Sequence, residues 1–522
     1  MKRALIGYSG FVGSNLLQFY KFDFFYNSKN FKEAIDKEFD EIFFCGVPAV
    51  KWYANKNPEE DSKIIEELKT ILKTIKTNKF ILISTIDVYD NVISEDNEDY
   101  LCNYNNNHTY GKNRYLFEKF IENTFENHHI IRLPALFGKG LKKNIIYDLL
   151  NNNEIQNIPI NSSFQWYDLN WLKDDIDLII NNNIRIFNLF TEPLETLNII
   201  KLFDYSLDKF NNNKRMDYNL KTKHENLFIN GHNGYIRDNN QVETSIKKFI
   251  NFHRINKERL VVSNICIKTL SNMQFACVLK LFGIKYAQIA PTTLISSWCD
   301  LEKLDLSIFK DNNVTVYSYQ SITFTLNELN IFNDKKDELL CHLKKVIDSA
   351  FLNNIKVLVF GCPRNRKIIN TENIIENENI FIKFFNELGE YCLNKEITIC
   401  IENNSKQYNC NFLNTIDEVG IIVRKINHPN IKMMIDNGNA FMENDDLSNF
   451  EKYNDIIYNI DVSQENMNNF SNPNIMNNLY SELIKKNNYK NKINLEMIIN
   501  NENELNILTE SLNNFIQIYG DN

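Results

Sequence analysis

Short apolar runs alternate with helix-length amphipathic segments along almost the whole of this 522-residue chain. Successive strands joined through a helix lie parallel, because only a long crossover returns the chain to the same side of a sheet. The pattern predicts an α/β protein of more than one domain, since 522 residues exceed what a single core fills. It falls into two series. In the first, residues 4–6, 22–26, 41–45, 80–84, 130–132 and 186–189 read as strands, with helices such as 58–77 and 110–123 between them. The second series has strands at 260–265, 286–289, 314–317, 356–360, 397–401, 431–435, 456–460 and 492–495. Eight strands over about 260 residues is the size of a (β/α)₈ barrel. Residues 249–257 read as the junction, giving expected domains of 1–253 and 258–522.

The first strand runs straight into Gly7-Tyr-Ser-Gly10-Phe11-Val12-Gly13 and then a helix. In such a turn the first glycine permits the bend and the second admits a pyrophosphate to the backbone. The third packs the helix on the strand, with its N-terminus aimed at the phosphates. This predicts a Rossmann-like, doubly wound parallel sheet binding a dinucleotide, NAD(P). A ribose-binding acid should follow the second strand; Asn27, Ser28 and Lys29 stand there instead. Small polar residues and a lysine tolerate a 2′-phosphate, which favours NADP over NAD.

The net charge of −9 argues against a nucleic-acid backbone or an anionic membrane as partner. No apolar run has transmembrane length, and Lys2 and Arg3 precede a strand rather than a signal-peptide core. The 10 cysteines form no C-x-x-C pair, so a reduced, cytoplasmic protein is expected. Asparagine triplets at 105–107, 151–153, 181–183 and 211–213 fall between periodic segments and read as polar loop fillers without chemistry.

Ser84-Thr85-Ile-Asp-Val-Tyr89 ends the fourth strand, and Tyr110-Gly-Lys-Asn-Arg114 opens a helix. A phenol shuttles protons at neutral pH only if a neighbouring cation lowers its pKa, and a residue four positions on shares its helix face. With the glycine turn, these motifs resemble the extended short-chain dehydrogenase/reductase family of sugar-nucleotide epimerases and dehydratases. Arg132-Leu-Pro-Ala-Leu-Phe-Gly138 and the segment Phe164-Gln-Trp-Tyr-Asp168, on the substrate side, fit the same family. The resemblance implies Tyr110 as acid/base and Thr85 as its hydroxyl partner. It places the cofactor against Gly7, Gly10, Phe11, Val12, Gly13, Asn27, Ser28, Lys29, Cys45, Gly46, Ser84, Tyr110 and Arg114. Arg114 departs from the family, which has lysine there; arginine is planar and never deprotonated. The departure fits either an altered oxidoreductase or a domain that binds cofactor without turnover.

In the second series acids follow apolar strands directly: Glu402, Asp436, Asp461 and Glu496. Strand ends converge at a barrel's active face, where four carboxylates repel one another unless a cation binds them. Oxygen ligands favour Mn²⁺ or Mg²⁺ over Zn²⁺. This half resembles the sugar-phosphate isomerase/epimerase family of xylose-isomerase-like TIM barrels. The resemblance implies Glu402, Asp436 and Glu496 as metal ligands and Glu402 and Glu496 as the pair exchanging a proton beside a carbonyl that the metal polarises. Asp461 stands where that family carries histidine, and Asn439 where a second histidine often follows. Arg364 and Arg366, after the fourth barrel strand, are candidates to hold a substrate phosphate or carboxylate. Gln288 and Gln320 are candidates for sugar hydroxyls.

The combined expectation is a bifunctional carbohydrate enzyme: an NAD(P)-dependent oxidoreductase or epimerase joined to a metal-dependent sugar isomerase/epimerase. Its partners would be a sugar, sugar phosphate or nucleotide-sugar, with homo-oligomerisation open. In the alternative only the barrel is catalytic and the first domain is a cofactor-binding scaffold. A DNA-repair endonuclease on a related barrel is the remote reading, opposed by the acidic charge and the lack of histidines at the strand ends.

Overall fold

The computed structural model describes residues 1–211, 215–446 and 448–521, so Asn212 and Asn213 of the last triplet lie outside the described residues. The chain divides into two compact units, Met1–Arg254 and Ile255–Asn522.

The first unit is built on a six-stranded sheet: β1 (Arg3–Ile6), β2 (Phe24–Tyr26), β3 (Glu38–Phe44), β4 (Lys76–Thr85), β5 (His128–Leu133) and β6 (Ile186–Asn188). The order across the sheet is β2-β1-β3-β4-β5-β6, and every pairing is parallel. Phe44 and Phe80 stack at 5.8 Å in the core against one face. From β1 the chain passes to β2 on one side and β3 on the other, so the strand order reverses where Gly7 leaves β1. Strands β3 and β4 begin earlier than the apolar runs suggest. Glu38 faces Lys76 and Glu41 faces Lys79 across the ladder, and both pairs are ion-paired. Opposite charges on facing positions extend a ladder that an apolar count stops short of.

The second unit is a closed barrel of eight parallel strands in chain order: β7 (Leu260–Ser263), β8 (Tyr286–Ile289), β9 (Thr315–Tyr319), β10 (Val357–Phe360), β11 (Thr398–Glu402), β12 (Ile431–Asp436), β13 (Ile457–Val462) and β14 (Ile493–Leu495). Leu260 of β7 pairs with Ile493 of β14 to close the ring. Strands β7, β10 and β14 are buried at every position, which is why they read as apolar runs rather than alternations. The helix Ile416–Ile426 shows how the sequence writes its outer layer. Thr415 accepts from the Glu418 N–H, Asp417 and Glu418 occupy the first turn, Arg424 and Lys425 the last, and Asn427 ends it in the left-handed conformation. Each choice suits the end of the helix dipole on which it lies.

Positive-φ positions among the described residues go to asparagine more often than to any other residue. Among the described residues eleven asparagines have positive φ, against five glycines. Asn152 and Asn183, in two of the triplets, are among them at φ 50° and 51°. No helix among the described residues is long and apolar enough to cross a membrane.

Candidate functional site

Strand ends bring Glu402, Asp436 and Glu496 to one end of the barrel. Glu402 closes β11, Asp436 closes β12, and Glu496 follows the last residue of β14. One carboxylate oxygen from each lies within 4.8 Å of the others. Glu402 and Asp436 are buried. Gly361, just past β10, makes room for Glu402: a side chain there would strike its Oε2.

Hydrogen bonds fix two of the three. Asp436 Oδ1 accepts from the Asn439 N–H at 2.7 Å and the Ser463 hydroxyl at 2.8 Å. The Asn439 amide also donates to Glu402 Oε1 at 3.3 Å, so this residue ties both acids together. Burial, then the Asp436 and Asp461 charges, raises the Glu402 carboxyl well above the usual carboxylate range. Burial, then Asp461, Glu402 and Asp436, does the same to Glu496. Burial pushes Asp436 up to about 6 despite its hydrogen bonds. Three acids held this close and this dry stay ionised together only with a cation among them. Arg366, the cation that bears on Glu402, is engaged elsewhere. The donor set, all carboxylate oxygen, suits a hard divalent ion.

Asp461 differs from its sequence-based assignment as a fourth ligand. It sits opposite Asp436 in the β12–β13 register, but Gln288 Nε2 donates to its Oδ2 at 3.0 Å and Asn459 Nδ2 to its Oδ1 at 2.9 Å. Burial and the Asp436 charge push it up to about 7. Gln288 continues the chain, donating to Gln320 and accepting from Ser318 at 2.7 Å. Asp461 thus belongs to a buried polar network across the barrel, with Gln320 at its far end.

Arg366 also differs from expectation. Arg366 is fully buried and donates to the main-chain carbonyls of Glu402 at 2.6 Å and Leu413 at 3.3 Å, so it braces the strand end that carries Glu402. Arg364 is exposed. Sequence spacing showed two arginines after a strand and could not show which main-chain carbonyls they would meet.

Among the buried polar atoms around the carboxylates that have no hydrogen-bond partner among the described residues are Gln320 Nε2, Asn404 Nδ2 and the Tyr408 hydroxyl. Tyr408, Asn439 and Ser463 were not among the expected site residues. Asn439 and Ser463 lie within three residues of a strand-end acid, and that proximity is the one signal that could have found them.

In the first unit the turn has the expected course. Gly7 has φ 87°, its N–H donates to Tyr26 O at 2.7 Å, and the Gly10 N–H donates to Gly7 O at 3.0 Å. A side chain at Gly7 would meet the Cys45 main-chain carbonyl, and one at Gly13 would strike the Gly7 carbonyl. Both glycines are therefore required by the turn's own packing. Gly10 is exposed, its added Cβ would meet nothing nearer than 3.2 Å, and it opens a helix, Phe11–Leu16, of only six residues. Phe11 and Val12 are half-buried beside it, as is Gly46 beyond β3. Burial raises the Cys45 thiol, which is therefore not a thiolate. Asn27 turns inward on its own loop, its Oδ1 accepting from the Lys29 N–H at 2.9 Å, while Ser28 and Lys29 are exposed.

Thr85 lies close enough to Tyr110 to lower its phenol. The cation beside them does not act as expected. Arg114 lies over the Tyr110 ring face, 4.2 Å from its centroid, and pairs with buried Asp61 and the Pro48 carbonyl. Burial raises the Tyr110 phenol, more than Arg114 and Thr85 lower it. Ser84 is also committed, donating at 2.5 Å to Glu118, which is ion-paired with Arg132. The segment 164–168 is interior: Gln165 bonds the main chains of Thr191 and Leu220, and Tyr167 donates to Asp175.

Residues 303–515 match the family model described as the xylose isomerase-like TIM barrel, and all of them lie in the second unit. No curated protein matches the chain. Among solved structures, the chain is similar to 3-keto-D-glucoside 4-epimerase from E. coli, with 10% identity over 50% of this chain and 99% of that one, at a TM-score of 0.43. It is similar to D-psicose 3-epimerase from Clostridium cellulolyticum H10, with 11% identity over 50% and 99%, at 0.43. A family 2 AP endonuclease from Brucella melitensis gives 13% identity over 47% and 95%, at 0.40.

Proposed function

We propose that the barrel is a divalent-metal-dependent sugar epimerase or isomerase. The observation that carries this reading is the set of three carboxylates, Glu402, Asp436 and Glu496, within 4.8 Å of one another at the barrel's strand ends. These three would hold Mn²⁺ or Mg²⁺. The bound cation supplies polarisation of a sugar carbonyl, which acidifies the adjacent C–H. Glu402 and Glu496 then divide the proton work: one carboxylate takes the proton from the carbon beside the carbonyl, and the other returns one to the opposite face. Asn439, bonded to Glu402 and Asp436, orients two of the acids. The unpartnered donors Gln320, Asn404 and Tyr408 suit hydroxyl oxygens. With Arg366 committed to main-chain carbonyls, the reading favours an unphosphorylated sugar over a sugar phosphate.

The test is a panel of aldoses and ketoses in deuterated water with Mn²⁺. Solvent deuterium should enter the carbon beside the carbonyl of an accepted sugar, and Glu402→Gln and Glu496→Gln should abolish it. Turnover without label uptake would refute the proton-exchange mechanism.

For the first unit, the Arg114–Asp61 pair favours binding without hydride transfer. Burial raises the Tyr110 phenol, while the Gly7–Gly13 turn leaves Gly10 open to a phosphate. The loop Asn27–Lys29 leans this reading to NADP. Titration should show NADPH binding to the protein, with Tyr110→Phe leaving sugar conversion unchanged; loss of conversion in that variant would restore the oxidoreductase reading.

A further inference from the structure

Resting on the sugar-enzyme reading above, we propose that Tyr408 is a substrate-binding residue, whose phenol donates a hydrogen bond to a sugar oxygen lying over Glu402, Asp436 and Glu496.

The loop after β11 holds Tyr408 in place. Ser405 donates its hydroxyl to Glu443 at 2.7 Å, and the Lys406 N–H donates to the same oxygen at 2.8 Å. The Gln407 N–H donates back to Ser405 at 3.2 Å, forming a single tight turn, Lys406–Tyr408. Asn409, at φ 60°, ends it. The side chain is thus positioned by a pinned backbone six residues beyond Glu402.

Its hydroxyl is nevertheless buried with no partner among the described residues. A buried hydroxyl without a hydrogen bond costs about 1–3 kcal/mol, and native proteins tolerate few of them. A fixed turn six residues beyond Glu402 that leaves such a group unbonded is the arrangement expected when the missing partner is a ligand. The phenol feels all three acids: burial first, then the Asp436, Glu496 and Glu402 charges, push it up to about 12. It therefore keeps its proton and acts as a donor. It is hydrogen-bonded to none of them, so its bonding capacity is left for a ligand oxygen. As the proton beside the carbonyl departs, negative charge grows on the sugar oxygens, and a neutral donor fixed there gains strength with that charge.

Tyr408→Phe removes the hydroxyl and keeps the ring, and three measurements decide. Calorimetric titration with Mn²⁺ alone should give unchanged affinity. The melting temperature of the metal-free variant should equal or exceed that of the wild type, because a partnerless hydroxyl is lost. Deuterium wash-in for whichever of D-fructose, D-psicose, D-tagatose or L-ribulose the wild type accepts should slow tenfold or more in kcat, with KM changed less. An equal wash-in rate in the variant, or a fall of several degrees in its metal-free melting temperature, would overturn the assignment of Tyr408 alone. Absence of wash-in from every ketose by Mn²⁺-loaded wild type would overturn the sugar-enzyme reading, and this assignment with it.

Discussion

Glu496→Gln should make the metal-free barrel more stable at pH 8 while removing its response to Mn²⁺. Two like charges 4.8 Å apart, at an effective dielectric of about 20, repel by ~3.5 kcal/mol. Glu496 faces two such neighbours but is less buried than they are, so the relief is taken as about 3 kcal/mol, not twice that. For a unit of this size, 1 kcal/mol moves the melting temperature by about 2–4 °C, so the barrel transition should rise roughly 6–12 °C in EDTA. The sign with pH follows from the raised carboxyl pKa values. Unfolded carboxyls titrate near 4, whereas folded Asp436 and Asp461 titrate at about 6 and 7. Between those limits the native state holds protons that the unfolded chain has released. Metal-free wild type therefore loses stability as pH rises from about 4 through about 7, with the raised Glu402 and Glu496 carboxyls adding to the loss. The advantage of Glu496→Gln should shrink at pH 5, where the acids are protonated. Scanning calorimetry at pH 5 and 8, with EDTA or Mn²⁺, reads all four conditions. A variant melting at or below the wild type at pH 8 in EDTA, or one that Mn²⁺ stabilises as much as it does the wild type, would refute the reasoning.

Gly361→Ala drives a methyl into Glu402 Oε2, so Mn²⁺ affinity measured by calorimetry should fall at least tenfold; unchanged affinity would show that Glu402 does not need its present position. Arg114→Ala leaves Asp61 as an unpaired buried charge and should destabilise the first unit by about 3–5 kcal/mol in urea unfolding. A loss under 1 kcal/mol would mean that Asp61 finds other partners.

The barrel was legible because strands covered on both faces need apolar residues throughout, so each acid ending such a run marked its strand's carboxyl end. That logic pointed to Glu402, Asp436 and Glu496, which the barrel brings within 4.8 Å of one another. It also included Asp461, since a run ending in an acid looks the same whether the carboxylate faces a ligand or meets Gln288 and Asn459. Tyr408 escaped because a short turn carries no periodicity, and its meaning lies in a bond it does not make. In the first unit the motif at Tyr110 and Arg114 was read from four-residue spacing. The ion-pair partner of Arg114, Asp61, is 53 residues away on another helix, and local spacing carries no trace of it.

The asparagines at left-handed turns bear on the denatured chain as much as on the fold. Glycine would adopt these turns without strain, but an unfolded glycine wanders over far more backbone conformations than asparagine. Each asparagine so placed accepts some strain in the native turn and leaves the unfolded ensemble narrower by a comparable amount. Spread over these positions, this makes the places where the chain must reverse partly specified before any core has formed.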